Sequence, residues 1–158
     1  MQYPNITQYK EAIMEADSFS SLNTGIEAVM DSREPVFASG NFAVVFKMRQ
    51  KGKLHALKCF LKDVDERGER QQKIVDYIKA KPSPYFVDYH YLQNELWADV
   101  DGGNEFPVSW MEWVEAPTLG EKIKYYCEAG VKNGLKRLAE NFKVFALWIL
   151  KQDFAHGD

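Results

Sequence analysis

Residues 36–61 confine this chain more than any other stretch. Val36 to Met48 and Leu54 to Leu61 are rich in β-branched and aromatic residues, and Lys51-Gly52-Lys53 lies between them. Two such runs joined by a short glycine turn predict a β-hairpin. A hairpin leaves two sheet edges and needs further strands or a helix to bury its apolar face. The sequence supplies both. Asp63 to Lys81 is made of helix formers with apolar positions at Ile74, Tyr77 and Ile78, and Pro82-Ser83-Pro84 ends it. Two strand-like runs follow, Phe86 to Leu92 and Leu96 to Val100. Asp101-Gly102-Gly103-Asn104 then turns the chain into a third, Phe106 to Val114.

The flanks read as helical. Tyr9, Ile13 and Ala16, then Leu22, Ile26 and Val29, recur at helical spacing and predict one or two short helices within residues 1–33. Leu119 to Ala129 is a helix stopped near Gly130. Asn133 to Gln152 is another, with Leu135, Leu138, Phe142, Phe145 and Ile149 in one continuous stripe. A five-stranded antiparallel sheet with one intervening helix and a helical tail is an α+β pattern.

Composition agrees with a folded chain that can build a core unaided: 158 residues, 46% apolar, 27% charged. The net charge of −3 and the interleaving of acids and bases in Lys62 to Lys73 argue against a nucleic-acid surface, which needs a basic stripe. Cys59 and Cys127 form no zinc or disulfide pattern. Neither a signal sequence nor an apolar run of membrane-spanning length is visible. The expected setting is reducing and cytoplasmic.

Four local features carry chemistry, and their order matters more than any one. The first is the small-residue bend in Phe37-Ala38-Ser39-Gly40-Asn41-Phe42-Ala43-Val44-Val45. It is either a phosphate-covering loop or a plain hairpin bend. The second is Ala56-Leu57-Lys58, where strand alternation puts Ala56 and Lys58 on one face. Lys58 is either a phosphate ligand or an edge-strand surface lysine; its apolar neighbours Leu57, Cys59 and Phe60 make the strand look buried. The third is Val108 to Glu115 leading into Thr118-Leu119, either a strand and linker whose backbone holds a base or an aromatic core strand. The fourth is His156-Gly157-Asp158 after the long apolar helix, a weak motif alone and a stronger one in that position.

Taken in order, Ser39 to Phe46, Lys58 to Phe60, Met111 to Leu119 and His156 to Asp158 resemble the motifs of bacterial protein-kinase-like (Ser/Thr kinase-like) proteins. The likeness runs from about residue 35 to the end of the sequence. It implies a kinase-like N-lobe over residues 35–114, a sheet plus an αC-type helix. A hinge and the first C-lobe helices would occupy 115–158, and residues 1–34 would be an N-terminal helical extension.

The resemblance also implies a nucleotide site for ATP. Phe37 and Val45 would roof the adenine, with Ala56 beside it and Met111 as gatekeeper. The backbone of Glu112 and Val114 would hold the base. Lys58 would grip the phosphates under the amides of Gly40, Asn41, Phe42 and Ala43, and Asp158 would be the catalytic base. Glu69 is the candidate αC partner of Lys58; a solvent-exposed acid is the alternative.

Departures from the family pattern are plain. In the phosphate-loop pattern G-x-G-x-x-G-x-V the slots hold Ala38, Gly40, Ala43 and Val45, so only the middle glycine is kept. The slot between histidine and aspartate holds Gly157. The Asn and Asp that bring Mg²⁺ in a kinase follow the catalytic aspartate, so metal is expected only in an intact kinase, and this chain alone is expected not to transfer phosphate. Most of the substrate-binding C-lobe would be missing too. The apolar stripe on residues 135–149 would then need a cover: the N-lobe, the missing C-lobe or a second copy. The competing readings are the N-terminal part of an active kinase, a pseudokinase-like scaffold for nucleotide or protein, and an unrelated α+β interaction domain.

Overall fold

Lys51 and Gly52 both have φ in the left-handed region, 50° and 78°. This two-residue loop matches the right-handed twist of the strands it joins. Those strands are the centre of a larger sheet. In chain order the strands are β1 (Ile26–Ala28), β2 (Met30–Asp31), β3 (Glu34–Pro35), β4 (Phe37–Ser39), β5 (Ala43–Gln50), β6 (Lys53–Phe60), β7 (Tyr89–Ala98) and β8 (Asn104–Glu112). The helices are α1 (Ile6–Ala12), α2 (Arg67–Ala80), α3 (Leu119–Glu128) and α4 (Lys132–Ile149). The computed structural model describes residues 2–153 and divides into two units, Met1–Trp113 and Val114–Asp158.

The chain is α+β. Its antiparallel sheet runs β1-β5-β6-β8-β7, with β4 also paired to β5. β1 and β4 share one edge of β5: β4 pairs with Val44 to Phe46 and β1 with Met48 to Gln50. The Val36 amide donates to the Val29 carbonyl (2.8 Å), and Val29 and Val36 both bond to Lys47. Residues 26–39 are therefore one interrupted edge strand, from which the β2–β3 hairpin is looped out.

This corrects the helix expected over Leu22, Ile26 and Val29. The spacing suits a helix, but Gly25 adopts φ +65° and turns the chain into an extended run whose amides are needed by the edge of β5. The runs Phe86 to Leu92 and Leu96 to Val100 also differ from expectation. They form one strand, β7, whose register slips between Leu92 and Leu96. The slip turns Glu95 inward, where it is only 2% exposed. Its carboxylate accepts from the Ser21 amide (3.0 Å), the Ser21 hydroxyl (2.5 Å) and the Leu22 amide (2.7 Å). A buried carboxylate is tolerated only when so satisfied.

The two faces of the sheet have different covers. Val44, Phe46, Met48, Leu57, Cys59, Val108 and Trp110 point to one face and pack with Tyr9, Ala12, Ile13 and Phe19 in a single core. Helix α1 lies there, started by a capping box between Asn5 and Gln8. The buried Tyr9 hydroxyl donates to the Phe60 carbonyl (2.7 Å). Helix α2 covers part of the other face. Arg67 sits 4.3 Å from the Phe60 ring centroid, and the Tyr89 hydroxyl donates to the Gln71 side chain.

The second unit is a helical hairpin. Thr118 and Glu121 form a capping box at the start of α3. Gly130 (φ +66°) ends it, with the Val131 amide on the Tyr126 carbonyl (2.9 Å), the closure that satisfies the last carbonyls of a helix. Gly134 lets α4 approach α3, since a Cβ there would meet the Tyr126 ring at 2.8 Å. Leu119, Ile123, Leu135, Leu138 and Phe142 line an apolar cavity of about 370 Å³. Phe142, Leu147 and Leu150 remain exposed. Among the described residues no helix is long and apolar enough to cross a membrane.

Candidate functional site

The face of the sheet away from α1 collects most of the expected site. Pairing sets Val45 beside Lys58 and Lys47 beside Ala56. It sets Ala56 beside Met111 and Lys58 beside Ser109. Cross-strand partners share a face. Val45, Ala56 and Met111 therefore make an apolar floor, and Lys58 stands at its border. Lys47 lies over the Trp113 ring at 5.0 Å at the other end.

Lys58 is half-buried, with its Nζ 5.8 Å from the Phe60 ring centroid. Among the described residues it makes no ion pair. Glu69 lies elsewhere. The side chains of α2 turned to the sheet are Arg67, Gln71, Val75 and Ile78, at helical spacing. Glu69 is half a turn away and exposed. It lines an open groove of about 840 Å³ with Asp63, Asp65, Glu66 and Asp76, a groove that contains none of the other expected site residues. The expected Lys58–Glu69 pair is therefore corrected. The inward position is held by Gln71, which sequence reasoning missed.

Gln71 belongs to a short polar chain. The Tyr89 hydroxyl bonds to it and lies 2.7 Å from Ser109 Oγ. Ser109 is fully buried and is the cross-strand partner of Lys58. Burial pushes the Tyr89 phenol above its ordinary pKa, with the Ser109 bond opposing. Every member of the chain is thus neutral around neutral pH.

The bend at residues 39–43 is a tight turn. The Gly40 amide donates to the Ala43 carbonyl (2.9 Å), and the Phe42 carbonyl accepts from the Leu61 amide (2.9 Å). Gly40 N–H is spent inside the loop, which corrects its expected role as a phosphate donor. The amides of Asn41 and Phe42, at the tip, have no partner among the described residues. Phe42 is 65% exposed, and the Lys62 ammonium lies 5.2 Å from its ring centroid.

Phe37 is a further correction. The turn pairs Ala38 with Val45 and Phe37 with Phe46, so Phe37 falls on the α1 face. Its ring centroid is 5.9 Å from that of Phe46, and Lys10 sits over it at 4.4 Å. It cannot roof a ligand beside Val45. Ala38 takes its place on the site face.

At the end of β8 the Glu112 amide donates to the Asp88 carbonyl (3.2 Å) and the Trp113 amide to the Leu54 carbonyl (3.2 Å). Of the Glu112 backbone groups, the carbonyl is the one that could serve a base. Val114 begins the second unit and is 59% exposed. His156, Gly157 and Asp158 lie outside the described residues.

Gly40 offers a clean probe of the loop. Its φ lies outside the left-handed region, and a Cβ added there would meet nothing within 4 Å. The fold does not require a glycine, whereas a ligand resting on the loop would. Gly40→Ala is expected to hold or raise stability, by about 0.4–1 kcal/mol, and a nucleotide seated on the loop would bind about tenfold more weakly to the variant. Thermal unfolding and an ATP titration of the variant check both halves.

Among the described residues no group of three or more His, Cys, Asp or Glu side chains could hold a metal ion. No family model, curated protein or solved structure matches this chain.

Proposed function

We propose that the Met1–Trp113 unit is a protein-kinase-like nucleotide-binding lobe, which holds ATP on the sheet face away from α1. The observation that carries this reading is the register that brings Val45, Ala56, Lys58 and Met111 onto one face. A flat base would rest on Val45, Ala56 and Met111 with its edge at the Glu112 carbonyl. The phosphates would then extend toward Lys58 and the tip amides of Asn41 and Phe42. Small side chains at Ala38 and Ala43 keep that approach open, and a lysine is a suitable point charge for phosphate oxygens.

In a whole kinase domain this lobe would serve phosphoryl transfer to a protein, with Asp158 as the base that accepts the substrate hydroxyl proton. A second reading, a pseudokinase-like scaffold that binds nucleotide or protein without catalysis, is favoured by one observation. An amide, Gln71, occupies the inward position of α2 where an active kinase needs a carboxylate. The exposed Phe142, Leu147 and Leu150 support a protein cover for the second unit, either a C-lobe or another copy of the chain.

Thermal unfolding with ATP tests the nucleotide reading. At a free concentration of about 100 times Kd, binding stabilises by roughly 2.7 kcal/mol. For a chain of this length that raises the midpoint by about 5–10 °C. No rise at any attainable ATP concentration would remove the nucleotide site.

A further inference from the structure

We propose that this lobe binds its nucleotide as the metal-free polyanion, and that Gln71 is the positioning residue that keeps the charge of Lys58 available to the phosphates. The inference rests on the nucleotide reading above. Where a helix carboxylate pairs with the strand lysine, part of the lysine charge is neutralised before ligand arrives. Metal ions then bridge the phosphates and neutralise their charge. Here the groups around Lys58 are of another kind.

The inward side of α2 presents Gln71 instead of a carboxylate, and Gln71 is engaged by the Tyr89 hydroxyl. That hydroxyl contacts Ser109, the residue paired with Lys58. The chain is uncharged and holds its own hydrogen bonds, so it makes no claim on the ammonium. Among the described residues, two strand carboxylates share the Lys58 face by register. Glu27 is at the β1 edge, tied to Arg49 at 2.9 Å. Glu105 is toward the far end of β8, 3.3 Å from the Ser20 hydroxyl. Neither is a neighbour of Lys58. The acids of α2 and its leading loop, Asp63, Asp65, Glu66, Glu69 and Asp76, line the open groove with Glu105 and Tyr91 of this same face, a groove whose lining does not include Lys58.

The phosphate end of the face is cationic. Lys58 stands on β6, Lys62 lies over Phe42 at the loop tip, and the Asn41 and Phe42 amides add two N–H donors. Such a cradle is attracted in proportion to ligand charge. A divalent cation on the nucleotide would cancel much of that charge and, among the described residues, meet no carboxylate neighbouring Lys58 to repay its dehydration.

The test is calorimetric titration of the 158-residue chain with ATP, once in EDTA and once in excess magnesium chloride, for the wild type, Gln71→Glu and Glu69→Gln. The wild type is expected to bind at least as tightly in EDTA as in magnesium. Gln71→Glu places a carboxylate in the polar chain that runs through Tyr89 to Ser109, the cross-strand partner of Lys58, and is expected to weaken binding in EDTA about tenfold. Glu69→Gln removes an outward charge and is expected to leave the affinity in EDTA unchanged. Binding that appears only with magnesium, or that magnesium strengthens severalfold, would overturn the inference and leave the nucleotide reading standing. So would Gln71→Glu binding in EDTA as tightly as the wild type, or weakening by Glu69→Gln. Absence of binding in both buffers would overturn the nucleotide reading and this inference together.

Discussion

Glu95→Ala is expected to destabilise the first unit by about 3 kcal/mol, seen as a fall of about 6–12 °C in its unfolding midpoint. The Glu95 side chain is 2% exposed and is the shared acceptor for the Ser21 amide, the Ser21 hydroxyl and the Leu22 amide. Alanine leaves two backbone donors without their acceptor, and a bond to a charged group contributes more than a neutral one. The loss reaches beyond a single contact. Residues 18–24 lead into β1, and the Ser20 amide is bonded to the Glu95 carbonyl (2.9 Å). Without the carboxylate, the path that delivers the edge strand to β5 loses its anchor. Glu95→Gln keeps the shape but sets an NH₂ against donors, and is expected to cost about 1–2 kcal/mol. Denaturant unfolding of the three proteins checks the order. A Glu95→Ala cost below about 0.5 kcal/mol, the range of ordinary surface substitutions, would mean that the bulge in β7 has no anchoring role.

The other large effect is on binding. Lys58→Ala is expected to weaken ATP by about 2–3 kcal/mol, roughly 30- to 150-fold, the cost of removing a cation from a charge-assisted contact. Stability should change little, because Lys58 has no ion pair among the described residues and its ammonium lies 5.8 Å from the Phe60 ring centroid, a distant contact. That separation of effects makes the variant informative. A scaffold lysine would lower the midpoint and leave ATP affinity alone; a phosphate ligand does the reverse. Equilibrium titration together with the unfolding midpoint of the same preparation distinguishes the two.

Much of the fold was legible because local chemistry and tertiary need coincide. Lys51-Gly52 can adopt the left-handed turn that a two-residue hairpin loop requires, and Pro82-Ser83-Pro84 stops α2. The long stripe of α4 and the strand face shared by Ala56 and Lys58 follow from period alone. What was not legible depends on partners that lie far away in sequence. Leu22, Ile26 and Val29 fit a helix until the open edge of β5 is seen to claim their backbone. Gln93, Asn94 and Glu95 look like a loop between two strands, since nothing local says that Ser21 and Leu22 will approach the carboxylate.

Two of the three site corrections, Glu69 and Phe37, have the same origin. Ile74, one of the apolar positions that identify α2 in the sequence, is 44% exposed and does not mark the inward side, so it is no guide to where Glu69 points. The stripe Arg67, Gln71, Val75, Ile78 was present in the sequence. Its first two members are polar, so it carries little apolar contrast. The resemblance implies Phe37 beside Val45. The tight turn closed by Gly40 and Ala43 pairs Ala38 with Val45 and shifts Phe37 to the core face. A one-residue offset in a strand exchanges the faces.

The measurement that tests the central claim most directly is a backbone amide chemical-shift map of the 158-residue chain during ATP titration. The account predicts saturable shifts gathered on Asn41, Phe42, Ala43, Val45, Ala56, Leu57, Lys58, Met111 and Glu112, with the amides of α1 unmoved. Shifts gathered instead along Asp63 to Asp76, or no saturable shifts at all, would contradict it.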